Sequence, residues 1–249
     1  EYFSEYIPNY NDRLSFISNF DGSYGLSLIL KKENYLFVDG RYTLQAKNQS
    51  GKFFKVITFP NKMPYKVLGK KKLIIAFDPK LFTKKNLNLF FGKTKCKFIP
   101  LKKNLVDEIW KRNIGKSKEK FYLLPNKSVG NNYKSKINKV VSHMKKIGAE
   151  FFFITSSENN AWLLNIRGKD AKYTPIPYCY ILIDRNKNIK LFCDLNKITV
   201  KLKNSFKNVK FVKTSDTKKV LSSISRKKFI IDQNTCSIYF EKIISKYNT

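Results

Sequence analysis

His143 is the only histidine in the chain, and that fact limits the chemistry the sequence can support. A Ser-His or Cys-His nucleophilic centre would have to use it, and no serine or cysteine stands out as its partner. It falls inside the amphipathic stretch Tyr133–Ile147, beside core positions, where an imidazole packs or faces water. Metal centres need clustered His, Cys, Asp or Glu, and the 18 acidic residues are spread thinly. The tightest acidic pair near the middle, Asp107-Glu108, lies on an expected helix, where neighbours point about 100° apart and do not chelate by themselves. No P-loop and no GxGxxG is present. Cys96, Cys179, Cys193 and Cys236 are widely spaced, form no CxxC, and read as reduced, semi-buried thiols. Asp39, Asp78 and Asp232 each follow a strand, which is ordinary turn and N-cap chemistry. Arg41, directly after Asp39-Gly40, is a surface arginine or one facing a ligand or neighbouring domain. Arg167-Gly168 closes a second corner, where a local carboxylate or carbonyl would hold the guanidinium. Trp110 and Trp162 read as packing residues.

The net charge of +32 invites a nucleic-acid reading, but only six of the 50 basic residues are arginine. Arginine is the residue that reads phosphate and guanine bidentately. The lysines are scattered, and they rise together with Asn, Ile, Phe and Tyr, as an AT-rich coding sequence would produce. Loose, salt-sensitive polyanion binding is expected either way, and nucleic acid only non-specifically.

The elements that must position these residues follow from pattern. Hydrophobic residues at 42% build a real core. The longest apolar runs are strand-length, far below the roughly 18–20 residues of a membrane span. The chain opens without Met and without a signal-peptide pattern, and it reads as a fragment that begins mid-sequence. Pro8 stops any helix beginning near Phe3. Asn11 or Asp12 caps a short helix carrying Leu14, Phe16 and Ile17, and Phe20–Ser23 breaks it at a glycine corner. Leu26–Leu30 and Tyr35–Val38 form a hairpin. A helix runs over Arg41–Asn48 with Tyr42, Leu44 and Ala46 inward. Phe53–Phe59 is a strand and Leu73–Phe77 a buried strand. Asp78-Pro79 opens a helix to about Phe91. Cys96–Ile99 is a strand, and Asn104–Trp110 a linking helix that buries Leu105, Val106, Ile109 and Trp110. Lys111–Lys120 is an exposed boundary. Beyond it come the Tyr133–Ile147 helix, a strand over Phe151–Thr155, a second corner and hairpin, a strand over Val209–Val212, a short helix near Val220–Ser223, a strand over Phe229–Ile231, and a helix over Ser237–Lys246.

The second half repeats the first. Phe16 to Trp162 and Gly22 to Gly168 share an offset of 146, Asp39 to Asp194 is 155, and Asp78 to Asp232 is 154. Two tandem α/β units of one plan are expected, with mixed sheets because both copies contain hairpins.

The motifs in order resemble a known family. Arg13–Gly25 (RLSFISNFDGSYG) resembles the RLxWLTGFTGSAG signature of the large aminopeptidase P enzymes, the Xaa-Pro aminopeptidases. Val38–Ala46 resembles their DGRYxLQA motif, and Phe77–Leu81 their YDPxL corner. Asn104–Trp110 is similar to their NLVDxIW linker. Ala161–Asp170 resembles AWLxNLRGxD, Tyr173-Thr174-Pro175 stands where YNP is usual, and Glu1–Pro8 resembles EFFSEYIP. Two departures stand out: Phe16 replaces Trp, and Ser18-Asn19 replaces Thr-Gly before the corner Phe20.

The resemblance implies two similar creatinase-type N-terminal domains, each a mixed β-sheet flanked by helices. Their expected spans are 1–102 and 118–249, with 103–117 as linker helix and loop. In the family a pita-bread metallopeptidase domain follows, and its ligands to two divalent metals, expected to be manganese, would lie past Thr249. No catalytic or metal residue is therefore assigned here, and this chain alone is expected to be inactive. The intact protein is expected to be a cytoplasmic homodimer with no membrane segment, releasing the N-terminal residue from short Xaa-Pro peptides. These domains would limit substrate access and support dimerisation. Substrate-cleft candidates are Phe20, Asp21, Gly22, Ser23, Arg41 and Tyr42. The competing reading is a stand-alone creatinase-like binding module for an acidic partner or nucleic acid.

Overall fold

A computed structural model describes residues 4–113 and 115–249; the Glu1–Phe3 part of the opening motif, any helix start near Phe3, and Ile114 in the boundary lie outside the described residues. The chain divides into a leading unit, Ile7–Gly115, and a trailing unit, Lys116–Thr249 together with Glu1–Tyr6.

In the leading unit, Asp12 accepts the Ser15 amide and caps α1, Arg13–Ser18. β1 (Gly25–Ile29) and β2 (Asn34–Asp39) form an antiparallel hairpin. A 3-10 turn, Gly40–Tyr42, leads into α2, Thr43–Ser50. β3 (Lys55–Phe59) returns parallel to β2, giving the order β1-β2-β3. α3 (Pro64–Leu68) precedes β4 (Ile74–Phe77), α4 (Lys84–Phe91) follows, and β5 (Lys97–Pro100) pairs parallel with β4 as a separate two-stranded sheet. α5, Leu105–Ile109, closes the unit.

Several expectations need correction. Leu44 is 73% exposed, because the buried stripe of α2 is Ala46 and Ser50, and two residues along a helix turn about 200°. Leu73–Phe77 is not buried throughout: Leu73 and Ile75 pack into the core while Ile74 and Ala76 face outward, the alternation of a half-buried strand. Asp78-Pro79 does not open the helix. Asp78 accepts the Lys80 amide in a local turn, and the helix waits for Thr83, which accepts from Asn86. Leu105 and Ile109 are exposed because charge pairing sets the face of the short α5. Arg13 holds Asp107 bidentately at 2.8 and 2.9 Å, Arg112 also pairs with it, and Trp110 stacks on Phe16 at 4.9 Å. Burial works against the Asp107 carboxylate, yet the two guanidinium groups hold its pKa below the ordinary value. The helix expected over Tyr133–Ile147 stops at Lys146, and Ile147 just past its end is exposed.

The trailing unit opens with β6 (Tyr122–Leu123), α6 (Tyr133–Lys146), β7 (Phe151–Ile154), α7 (Ser157–Leu164) and β8 (Ile166–Arg167). β9 (Tyr180–Asp184), β10 (Ile189–Cys193), α8 (Val200–Asn204), β11 (Val209–Lys213), α9 (Thr217–Ser222), β12 (Phe229–Ile231) and α10 (Ile238–Ser245) complete it. Its main sheet has the order β11-β10-β9-β7-β12, with β6 and β8 as a small antiparallel ribbon. One face carries the cluster of Ile137, Val141, Met144, Ile181 and Leu191. The other carries Phe153, Leu182, Phe192 and Phe240.

The duplication holds at the level of single hydrogen bonds. Asn19 and Asn165, 146 apart, both end their helices in the left-handed region, at φ 60° and 55°. Asparagine tolerates that conformation better than other non-glycine residues, so Ser18-Asn19 preserves the corner. Asp39 and Asp194 each accept the amide two residues on and lead into a 3-10 turn. Asp78 and Asp232 likewise accept the amides of Lys80 and Asn234, two residues on. Thr83 and Ser237, again 154 apart, cap α4 and α10.

All four cysteines are free. Burial pushes the Cys193 and Cys236 thiols up to about 12 and Cys179 well above its ordinary value. A raised thiol pKa favours the protonated folded form. Its stabilising contribution is therefore complete below the unfolded pKa of about 8.5 and is lost as pH climbs toward the folded value. Native protein at pH 8 will expose Cys96 alone to a thiol reagent, the other three reacting only on unfolding, and the urea midpoint will fall between pH 9 and 11. Rapid native labelling of Cys193 or Cys236 would contradict this burial.

Candidate functional site

The six candidate residues converge at one end of the leading sheet, where the start of β1 lies beside the end of β2 (Gly25 opposite Val38). The Phe20 ring is fully buried among Leu36, Val38, Ala46 and Phe54 and meets Tyr42 edge-on at 5.7 Å. The glycines of the corner are needed for close approach: a Cβ on Gly22 would sit 2.2 Å from Phe20 Cζ, and one on Gly25 2.7 Å from Leu14 Cδ2. Ser23 Oγ and the Tyr42 hydroxyl lie 2.9 Å apart. Asp21 Oδ1 accepts from the side-chain amides of Gln45 and Gln49 at 2.7 and 2.8 Å, tying the corner to α2.

Arg41 folds back on Asp39. Its Nη2 donates to Oδ2 at 2.7 Å, its Nε lies 3.2 Å from both oxygens, and its backbone amide donates to Oδ1 at 2.9 Å. The Arg41 hydrogen bond holds the Asp39 carboxyl below its ordinary pKa. The guanidinium also lies over the Tyr42 ring at 5.4 Å, yet its side chain is 70% exposed. Tyr24 sits at the same end, its phenol pushed up by burial and by Asp39. Arg41 and Tyr42 thus present a cation and an aromatic ring, pre-oriented by Asp39 and Ser23, on a rigid corner. Such a surface suits binding a carboxylate or carbonyl. It has no nucleophile–base pair.

The corresponding corner of the trailing unit is built differently. Asn196 and Lys197 stand where Arg41 and Tyr42 stand, and the Lys197 ammonium turns inward to pair with Asp170, both side chains almost fully buried. Asp170 also accepts the Tyr178 amide at 2.7 Å. Gly168 is pinned between Pro177 and Phe121, where a Cβ would be 2.9 Å from Pro177 Cα. Arg167 donates to the carbonyls of Ala161 and Ile166 rather than to a carboxylate. Sequence reasoning did not find this ion pair, because Lys197 is one lysine among many and only the fold brings it to Asp170. His143 lies exposed on α6.

Among the described residues no group of three or more His, Cys, Asp or Glu side chains is placed to hold a metal ion. The carboxylates of the candidate corner are engaged by Gln45, Gln49 and Arg41, so these residues do not fit a dinuclear metal centre. Among the described residues, no helix is long and apolar enough to cross a membrane.

Two family models, each described as a Creatinase/Prolidase N-terminal domain, match residues 5–109 and 114–249. A protein of Laccaria bicolor named "Probable Xaa-Pro aminopeptidase P" is 31% identical over 238 residues, 90% of this chain and 36% of its own length. Aminopeptidase P1 of Arabidopsis thaliana is 28% identical over 233 residues, 89% of this chain and 35% of its own. The solved X-prolyl aminopeptidase of Caenorhabditis elegans, described as a cytosolic enzyme with a di-nuclear active site, superposes with a TM-score of 0.88 at 25% identity. That match covers 100% of this chain and 43% of the nematode chain. The chain thus spans about a third of the length of these curated relatives. With both halves matched in order, the chain belongs to the creatinase/prolidase N-terminal domain family, as the paired N-terminal domains of an Xaa-Pro aminopeptidase-like protein.

Proposed function

We propose that this chain is the non-catalytic N-terminal portion of an Xaa-Pro aminopeptidase, a cytoplasmic homodimeric enzyme that releases the N-terminal residue from short Xaa-Pro peptides. The reaction's water would be activated by two divalent metals, manganese in this reading, held by residues outside this chain. The observation that carries the reading is the in-order match of both halves to creatinase/prolidase N-terminal domains and to aminopeptidase P relatives. The two domains would limit substrate access and support dimerisation.

The leading corner is the better candidate for the cleft wall. Its Arg41, paired with Asp39, keeps an exposed side chain, whereas Lys197 at the trailing corner is buried in its pair with Asp170. In the whole polypeptide, Arg41→Ala is expected to raise KM for a tripeptide Xaa-Pro substrate by about tenfold with kcat nearly unchanged, the mark of lost binding shared by ground and transition states. Unchanged KM would remove Arg41 from the cleft. Loss of kcat alone would give it a different role.

A further inference from the structure

Lysines that look scattered in the sequence are gathered by the fold of the leading unit. β2 and β3 run parallel, as do β4 and β5, so each pair begins at one end. β2 is entered through Lys31 and Lys32, and β3 through Lys52 and Lys55. β4 is entered through the lysines at 70–72 and β5 through three more between 93 and 97, and all ten are exposed. Glu33 ties these entries together. The Lys55 hydrogen bond, then that of Tyr35, holds its carboxyl below the ordinary pKa, and the Lys71 ammonium adds to this from the α3–β4 turn. The Cys96 thiol donates to the Lys71 carbonyl at 3.3 Å, which brings the entry to β5 alongside.

The other six acidic residues of the leading unit sit at the opposite end. Asp39 ends β2, Asp78 follows β4 and accepts from Asn104 at the cap of α5, and Asp21 is tied to α2. Asp107 holds Arg13, with Asp12 and Glu108 on either side of that pair. An AT-rich coding sequence raises lysine everywhere, but it does not sort the carboxylates away from one end. The lysine end also carries an apolar anchor. Phe53 stands between Lys52 and Lys55, its backbone held by the Ser50 carbonyl and the Asn34 side chain, and its ring is 64% exposed. The Lys52 ammonium lies 5.6 Å from the ring centroid.

We propose that this end of the leading unit docks on an anionic lipid bilayer, with the lysines against the headgroups and Phe53 entering the interface. Basic residues around an exposed aromatic supply both the electrostatic and the apolar half of interfacial binding. The choice of cation favours lipid over nucleic acid. A compact, hydrated ammonium suits the diffuse field of a charged leaflet, whereas phosphate and base recognition draws on the arginine fork. The three arginines of the leading unit, Arg13, Arg41 and Arg112, all lie at the acidic end. Docking would leave the Arg41–Tyr42 corner open, so the proposal stands apart from the peptidase reading.

The test is cosedimentation of Glu1–Thr249 with vesicles of phosphatidylcholine, alone or with about 30 mol% phosphatidylserine, at about 0.15 M salt. Binding is expected only with phosphatidylserine. Lys31→Glu, Lys32→Glu, Lys70→Glu and Lys72→Glu together are expected to weaken it at least about a hundredfold. The same change at the exposed Lys201, Lys203, Lys218 and Lys219 of the trailing unit is expected to weaken it less than about threefold, because the Debye length is only about 8 Å. All eight side chains are exposed, so neither set is expected to move the urea midpoint. Phe53→Ser, at unchanged net charge, is expected to cost about fivefold. Equal losses from the two lysine sets would mean that net charge alone is at work and would overturn the proposal, as would no binding to phosphatidylserine vesicles. Tighter binding to a single-stranded oligouridine, lost in the Lys31 set and not displaced by the vesicles, would assign the surface to RNA and overturn it as well.

Discussion

Replacing Lys197 by methionine will destabilise the trailing unit by about 3–5 kcal/mol, the largest effect expected of any single surface-distant polar change. Lys197 and Asp170 have side chains 7% and 4% exposed, so water screens the pair little. Methionine fills most of the lysine stem's volume but leaves the Asp170 carboxylate buried without its cation. The Tyr178 amide remains as one donor and does not replace a full charge. The double replacement Lys197→Met with Asp170→Asn removes both charges and should recover much of the loss, which identifies the orphaned charge as the cost. Urea unfolding of the three variants measures this. A loss under about 1 kcal/mol for Lys197→Met would mean that water reaches Asp170 readily.

Phe20→Ala will cost the leading unit about 3–5 kcal/mol, the range for emptying a buried phenylalanine site. The ring is fully buried, and Gly22 is folded directly onto it: a Cβ there would sit 2.2 Å from the ring. The ring also supports Tyr42, so the variant should loosen the placement of Arg41 as well as lower stability. A loss below about 1 kcal/mol in urea, or an unchanged Tyr42 ring environment by NMR, would show that the corner does not depend on Phe20.

Much of the architecture was legible because its signals are local. Asp12, Asn104 and Ser237 cap helices close to where polar residues precede apolar ones, and the constant offsets between copies survive as matching turns. The corner residues could be grouped because Phe20–Ser23 and Arg41-Tyr42 lie in two motifs that resemble the family's, and the register of the hairpin between them brings its two ends together. What sequence reading missed is non-local. Whether Ile74 or Ile109 is buried depends on what packs over β4 and α5, which the pattern of apolar residues does not state. The Asp78-Pro79 signal was real turn chemistry, but it stopped one turn short of the helix, and only Thr83 marks the start. The αL asparagines were hidden because Asn19 looked like a departure from glycine, until Asn165 adopted the same backbone at the same offset.

This chain is proposed to be the non-catalytic N-terminal part of an Xaa-Pro aminopeptidase. The measurement that tests it most directly is release of the N-terminal residue from a short Xaa-Pro peptide with added divalent manganese, comparing Glu1–Thr249 with the whole polypeptide its gene encodes. Metal-dependent cleavage by the whole polypeptide, abolished by a chelator, and none by Glu1–Thr249 is the expected result. Cleavage by Glu1–Thr249 alone, or a whole polypeptide that leaves Xaa-Pro peptides intact, would contradict it, and the second result would favour a binding module.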